Sequence, residues 1–355
     1  MNKKSQIAAK ITKLAKNHIL VMDGAMGTSL QGYKLTEADF RGTLFAKHSD
    51  DLKGNNDILC LTMPDVISKI HNEYLEAGAD IICTNTFNGT SVSQGEYALE
   101  DQAFEINKQG ARLAKEAADE WTKKTPDKPR FVAGSMGPTN RTLSISPDIS
   151  RPGFRAIDFD TLKDAYREQA EGLLAGGADY LLIETIFDTL NAKAAIVAIE
   201  EVSEERGEDI SMALSVTVTD LSGRTLSGQT VEAFWHSIRH AKPLSVGLNC
   251  SFGAQDLRPF VRELSKAADT LLCAYPNAGL PNEMGEYTET PDVTAGELEE
   301  WASSGFLNIV GGCCGTTPAH IKAINQVVQN HASRHVPDLE PALRLSGLEP
   351  LTVTS

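Results

Sequence analysis

The chain has 355 residues, a formal charge of −15 and 41% apolar residues. That length suits two ordinary domains or one α/β barrel, and the apolar content supplies a large globular core. So acidic a balance excludes a surface built to follow a phosphate backbone, which needs basic stripes, and no nucleic-acid partner is expected.

The opening Met-Asn-Lys-Lys-Ser-Gln lacks the apolar centre of a signal peptide. No run approaches the ~20 apolar residues of a membrane span. The expectation is therefore a cytoplasmic protein without a membrane partner, its six cysteines reduced. An amphipathic helix is predicted at 5–17, with Ile7, Ile11 and Leu14 on one side. Eight apolar runs follow, at 19–22, 81–84, 131–134, 180–183, 212–218, 246–249, 271–275 and 307–310. Helix-period stretches alternate with them at 64–77, 97–121, 159–175, 190–206, 231–241, 257–268, 295–303 and 318–332. Pro64 and Pro318 suit first helical turns, and Gly78 suits a C-terminal stop. Eight strands alternating with eight helices predict a parallel sheet closed as a (β/α)8 TIM barrel, with a doubly wound open sheet as the competitor. The connection 24–63 is long enough to shape a site on the catalytic face. The barrel is expected to occupy 1–335, and 336–355, around Pro337-Asp338-Leu339-Glu340-Pro341, to be an extension or linker.

The strongest chemical signal is a set of three cysteines at two predicted strand ends. Cys250 closes Gly-Leu-Asn-Cys, and Cys313 and Cys314 lie in Gly-Gly-Cys-Cys-Gly-Thr. Neighbours in a regular strand point to opposite faces, so both sulfurs of the pair reach one ion only if the backbone turns. Gly311, Gly312 and Gly315 are expected to supply that freedom. Three thiolates suit Zn²⁺ and leave its fourth position open, the arrangement of a catalytic rather than a structural site. A substrate thiol entering there would lose its proton at neutral pH. The competing reading is three buried structural cysteines. Cys60, Cys83 and Cys273, each in or beside an apolar run, fit that description.

Other strand ends carry weaker signals. Asp23, Gly24 and Ala25 begin Asp-Gly-Ala-Met-Gly-Thr, whose backbone N–H groups suit a carboxylate or form only a tight turn. Asn85 follows the second strand as a ligand contact or a turn cap. Glu184 ends the fourth strand, where a carboxylate meets a substrate ammonium or caps the next helix, as Asp188 is expected to do. Asn277, after the seventh strand, offers an amide oxygen as a fourth zinc ligand when substrate is absent.

Together these residues resemble the homocysteine S-methyltransferase family. The resemblance rests on Asp-Gly-Ala-Met-Gly-Thr at 23–28, Asn-Thr-Phe at 85–87, Gly-Pro-Thr-Asn-Arg-Thr at 137–142, Glu-Thr at 184–185, Gly-Leu-Asn-Cys at 247–250, Pro-Asn-Ala-Gly at 276–279 and Gly-Gly-Cys-Cys-Gly-Thr at 311–316. Ala25 departs from the glycine of many relatives. Within the family the chain looks like the amino-terminal modules of cobalamin-dependent methionine synthases. Ala-Asp-Phe-Arg-Gly at 38–42, Leu-Lys-Gly-Asn-Asn-Asp at 52–57 and Arg-Leu-Ser-Gly-Leu-Glu-Pro-Leu at 344–351 carry that narrower likeness. It implies a zinc barrel that activates L-homocysteine as a zinc thiolate on Cys250, Cys313 and Cys314. Asp23, Gly24, Ala25 and Glu184 would hold the amino-acid head group. The methyl would come from methylcobalamin on a separate cobalamin-binding module, recharged by a folate-binding module, to give methionine. The alternatives are a stand-alone enzyme using S-methylmethionine or betaine, and a non-catalytic barrel stabilised by zinc.

Overall fold

The computed structural model describes residues 3–353. Eight parallel strands run β1 (Leu20–Val21), β2 (Ile81–Cys83), β3 (Phe131–Met136), β4 (Tyr180–Ile186), β5 (Met212–Val216), β6 (Ser245–Asn249), β7 (Leu271–Tyr275) and β8 (Ile309–Val310). Their order is β1-β8-β7-β6-β5-β4-β3-β2. A parallel bridge between Met22 and Ile81 joins β1 to β2, with Asp80 N–H donating to Val21 O at 2.7 Å, so the sheet meets itself as a (β/α)8 barrel.

Side-chain alternation divides the core in two. Leu20, Met22, Ile81, Phe131, Ala133, Tyr180, Leu182, Cys273 and Tyr275 form one cluster inside the barrel. Their neighbours Val21, Ile82, Val132, Leu181, Ile183 and Ala274 belong to the second, between sheet and helices. Ile11 and Ala15 of the first helix, Lys3–Asn17, are fully buried against the inner cluster at its lower end.

The predicted elements exist with adjusted bounds. The fifth strand stops at Val216 instead of 218, and the helix predicted from 97 is Ala103–Lys124, preceded by short turns. Helices Pro291–Ser303 and Ala254–Ala267 begin earlier than their apolar periodicity, the first on Pro291. Asp188 caps Thr189–Arg206 by accepting from Leu190 N–H at 3.0 Å. The segment 24–63 contains the short helices Met26–Gly32, Glu37–Arg41 and Leu59–Thr62. The tail read as a linker contains a hairpin of β9 (Leu343–Ser346) and β10 (Pro350–Val353). It docks on helix Val231–Ile238 and the loop before it: Ser346 Oγ donates to Ala233 O at 2.6 Å, and Thr230 N–H to Leu348 O at 3.0 Å.

Candidate metal centre and substrate pocket

The inner face changes character toward the strand ends. Two residues beyond Leu182, Glu184 keeps the same inward parity, as does Ser135 two beyond Ala133. Ser135 Oγ donates to Glu184 Oε1, and Tyr275 hydroxyl donates to Glu184 Oε2 at 3.2 Å. Burial raises the Glu184 carboxyl above its ordinary value, partly offset by these donors. Asp23, at the end of β1, accepts from Cys83 N–H at 2.8 Å, and burial pushes its carboxyl up to about 8. Both acids line a cavity of about 480 Å³ with Met26, Asn85, Cys250, Tyr287, Cys313 and Cys314. Among the described residues no Lys, Arg or His lines this cavity. Asp57 lines the same cavity, its carboxyl accepting from Asn88 N–H at 2.8 Å and pushed up to about 7 by burial, so three buried carboxyls border space that an ammonium group would fill.

The three sulfurs converge because both cysteine loops hang from the end of β7. Cys250 N–H donates to Tyr275 O at 3.3 Å, and Cys313 N–H to Pro276 O at 2.7 Å. Cys250 and Ser251 both adopt left-handed backbone, with φ of 63° and 64°, which costs a side-chain-bearing residue ~1–2 kcal/mol. Thr217 Oγ1 and Ser251 Oγ, 2.7 Å apart, hold that turn. Cys313 to Thr316 form a tight turn closed by Thr316 N–H donating to Cys313 O at 3.0 Å, with Gly315 at φ 81° in its third position. Gly311 and Gly312, expected to bend freely, do not take positive φ. A Cβ on Gly311 would stand 2.7 Å from Met22 Cβ, and one on Gly312 2.4 Å from Thr316 Oγ1, so their role is close packing.

Cys250 and Cys314 sulfurs lie 3.9 Å apart, Cys313 and Cys314 sulfurs 4.0 Å, and all three within 4.8 Å of one another. Sulfurs on tetrahedral zinc with ~2.3 Å bonds stand ~3.8 Å apart, so the trio fits that ion without rearrangement. Side-chain hydrogen bonds with Cys250, then Cys313, hold the Cys314 thiol below its ordinary value, and those with Cys250, then Cys314, raise Cys313. Three thiols sharing hydrogen bonds at this spacing are a set of groups that would release protons to a bound cation. Asn277 is wedged between the two loops. Its N–H donates to Phe252 O at 3.0 Å, the next residue's N–H donates to Cys314 O at 2.9 Å, and its side-chain Oδ1 is buried without a partner.

Asn85 lines the pocket while its amide nitrogen donates to Asn56 O at 2.7 Å. Gly24 has no room for a side chain, since a Cβ would meet Thr316 Oγ1 at 2.7 Å. Ala25 N–H donates to that same hydroxyl at 3.2 Å. Helix Met26–Gly32 has no side-chain cap, leaving the N–H groups of Met26, Gly27 and Thr28 as its orphan donors at the pocket wall. The motif at 23–28, whose backbone N–H groups were expected to suit a carboxylate, contains all three, although sequence reasoning named singly only Asp23, Gly24 and Ala25. That reasoning missed Asp57, Ser135, Tyr275, Thr316 and Tyr287, the last of which packs on Gly315 and presents its phenol to Cys314. Inward strand parity signals Ser135 and Tyr275. Asp57 and Thr316 lie in motifs already singled out, and Tyr287 carries no local signal.

Fold and site together define a (β/α)8 barrel with a three-cysteine candidate metal centre at its strand ends. The sequence profile described as homocysteine S-methyltransferase matches residues 20–328. The chain belongs to the homocysteine S-methyltransferase family, and so is a methyltransferase. The Escherichia coli homocysteine methyltransferase MmuM is similar in structure. Its metallated form aligns at 24% identity over 88% of this chain and 98% of that one, with a TM-score of 0.68. The oxidised form aligns at 22% identity over 92% and 99%, with a TM-score of 0.69. At that identity the likeness establishes the fold.

Proposed function

We propose that this chain binds L-homocysteine and readies its thiol for methyl transfer from methylcobalamin, carried on a separate module and recharged through a folate-binding module, with methionine as product. The observation that carries the reading is the meeting of three sulfurs with three buried carboxyls, Asp23, Asp57 and Glu184, in one cavity lined by no cationic side chain among the described residues. Zinc bound by Cys250, Cys313 and Cys314 supplies Lewis acidity that keeps a thiol ionised near neutral pH. Asp23 and Glu184 receive the substrate ammonium, and the N–H groups of Met26, Gly27 and Thr28 receive its carboxylate. Asn277, with its unpartnered oxygen, is the fourth donor when substrate is absent. The assignment of the donor to methylcobalamin draws its support from the motifs at 38–42, 52–57 and 344–351.

Calorimetry of homocysteine binding in buffers of different ionisation enthalpy tests the site. About one proton should be released near neutral pH, and binding should be lost with Cys250→Ala. Equal homocysteine affinity after loss of all three cysteines refutes the reading. Assays with free methylcobalamin, S-methylmethionine and betaine test the donor. Turnover with either small donor alone would reassign the chain as a self-contained enzyme.

A further inference from the structure

Beneath the tail hairpin, where the chain leads into β6 and β7, lies a second cavity of about 610 Å³. It is unlike the thiolate pocket in charge. Arg239, Lys242 and Arg344 line it with a single carboxylate, Asp269, in a chain whose net charge is −15. Asp269 is already engaged by Arg239, whose Nε donates to its Oδ1 at 2.9 Å. The Lys242 ammonium makes no hydrogen bond or ion pair among the described residues. The Arg344 guanidinium donates only to the carbonyls of Glu340, at 3.0 Å, and Ala342, at 3.5 Å. Trp235 backs the wall at only 1% exposure, its indole N–H buried without an acceptor among the described residues. Leu343, 59% exposed, supplies the apolar surface. Lys242 without a partner, and Arg344 whose nearby carboxylate Asp269 is already shared with Arg239, match an anion with an apolar body. The volume falls among sites for small organic ligands, roughly 300–1,000 Å³, and far exceeds a bare phosphate.

We propose that this cavity binds a small organic phosphate, its phosphoryl oxygens on Lys242 and Arg344 and its apolar body against Leu343. Arginine's planar fork and lysine's point charge are complementary means of holding a dianionic phosphate. Arg344 belongs to the hairpin and Lys242 to the barrel, so an occupant bridges the two and fastens the tail.

Phenyl phosphate is the probe, titrated calorimetrically into the zinc-loaded full chain at low ionic strength. Saturable one-to-one binding is expected, together with slower amide exchange over 343–353 and no change in homocysteine affinity. Lys242→Asn and Arg344→Gln should each weaken binding at least about ten-fold. Asparagine is chosen because Lys242 has φ 45°, a conformation asparagine tolerates. Unchanged circular dichroism and homocysteine binding certify that both variants are folded. No saturable binding, or equal affinity in wild type and both variants, overturns the proposal. Inorganic phosphate binding as tightly as phenyl phosphate would reduce the cavity to a charged patch. An oligoglutamate peptide binding more tightly would make it an acidic-segment site; either result overturns the assignment to an organic phosphate.

Discussion

Glu184 and Asp23 are held apart from any protein cation, so their charge is balanced only by what enters the pocket. For Glu184→Gln the shape and the Ser135 and Tyr275 partners remain while the charge is lost. Homocysteine affinity should fall ~10–100-fold, the ~1.5–3 kcal/mol of a hydrogen bond to a charged group, with zinc content unchanged. Binding of 4-mercaptobutanoate, which lacks the amine, should barely change, and calorimetry with both ligands measures the contrast. The raised Asp23 carboxyl gives a pH dependence of definite sign. Below about 8 it holds a proton in the free protein, which an arriving ammonium must displace. Norleucine, which has no thiol to confuse the titration, should therefore bind progressively more weakly from about pH 8 to about pH 6, by more than about ten-fold. Asp23→Asn should make that profile shallower, leaving the part contributed by Asp57, which burial pushes up to about 7 in the same cavity. Of this site, the cysteines and the strand-end acid were legible because chemistry-bearing residues stand beside recognisable apolar runs. The contacts that make it work were not. Ala25 and Thr316 are 291 positions apart, and nothing local to either predicts their bond.

The same division between local and distant causes governs the elements. Strands buried on both faces read as apolar runs, so their number and order could be anticipated. The tail hairpin also alternates, with Leu343 and Leu345 opposite Val353 and Leu351 around a Ser-Gly turn, yet those four leucine and valine side chains are each about half exposed. A strand pair that buries so little has no apolar signature to separate it from a linker. Arg334 is the opposite case, a charged residue that is 3% exposed. Its guanidinium donates to Ser265 O at 2.7 Å, Thr270 O at 2.9 Å and Asn308 Oδ1 at 3.3 Å, and also to Ala268 O. Its own N–H donates to Leu307 O at 2.8 Å. It thereby ties the chain leaving the last barrel helix to the floor under β7 and β8. Arg334→Met keeps the length of the side chain but strands these acceptors. Urea unfolding should show a loss of several kcal/mol, since each buried acceptor left without a donor costs about 1–3 kcal/mol. Homocysteine binding at the other end of the barrel should survive.

At the scale of the whole molecule, the first helix plugs the lower end of the barrel, and the upper end is left polar and open to ligands. Sheet hydrogen bonds already fix β6, β7 and β8 side by side, but the cysteine turns beyond them are held by few contacts, and one contains two left-handed residues. A cation drawn to the three sulfurs would cross-link the loops after β6 and β8 over the end of β7, relieving the repulsion that appears when more than one thiol ionises. Its stabilisation is a mass-action effect on the entire fold rather than a local one. With metal at about a thousand times its dissociation constant the gain is ~4 kcal/mol. Spread over the unfolding entropy of a chain this long, that is about 5 °C in melting temperature. Scanning calorimetry of the zinc-loaded protein before and after chelation should show a fall of that size, and Cys250→Ala should abolish the difference. A melting temperature indifferent to zinc in the wild type would mean that the three sulfurs, close as they are, do not act as one site.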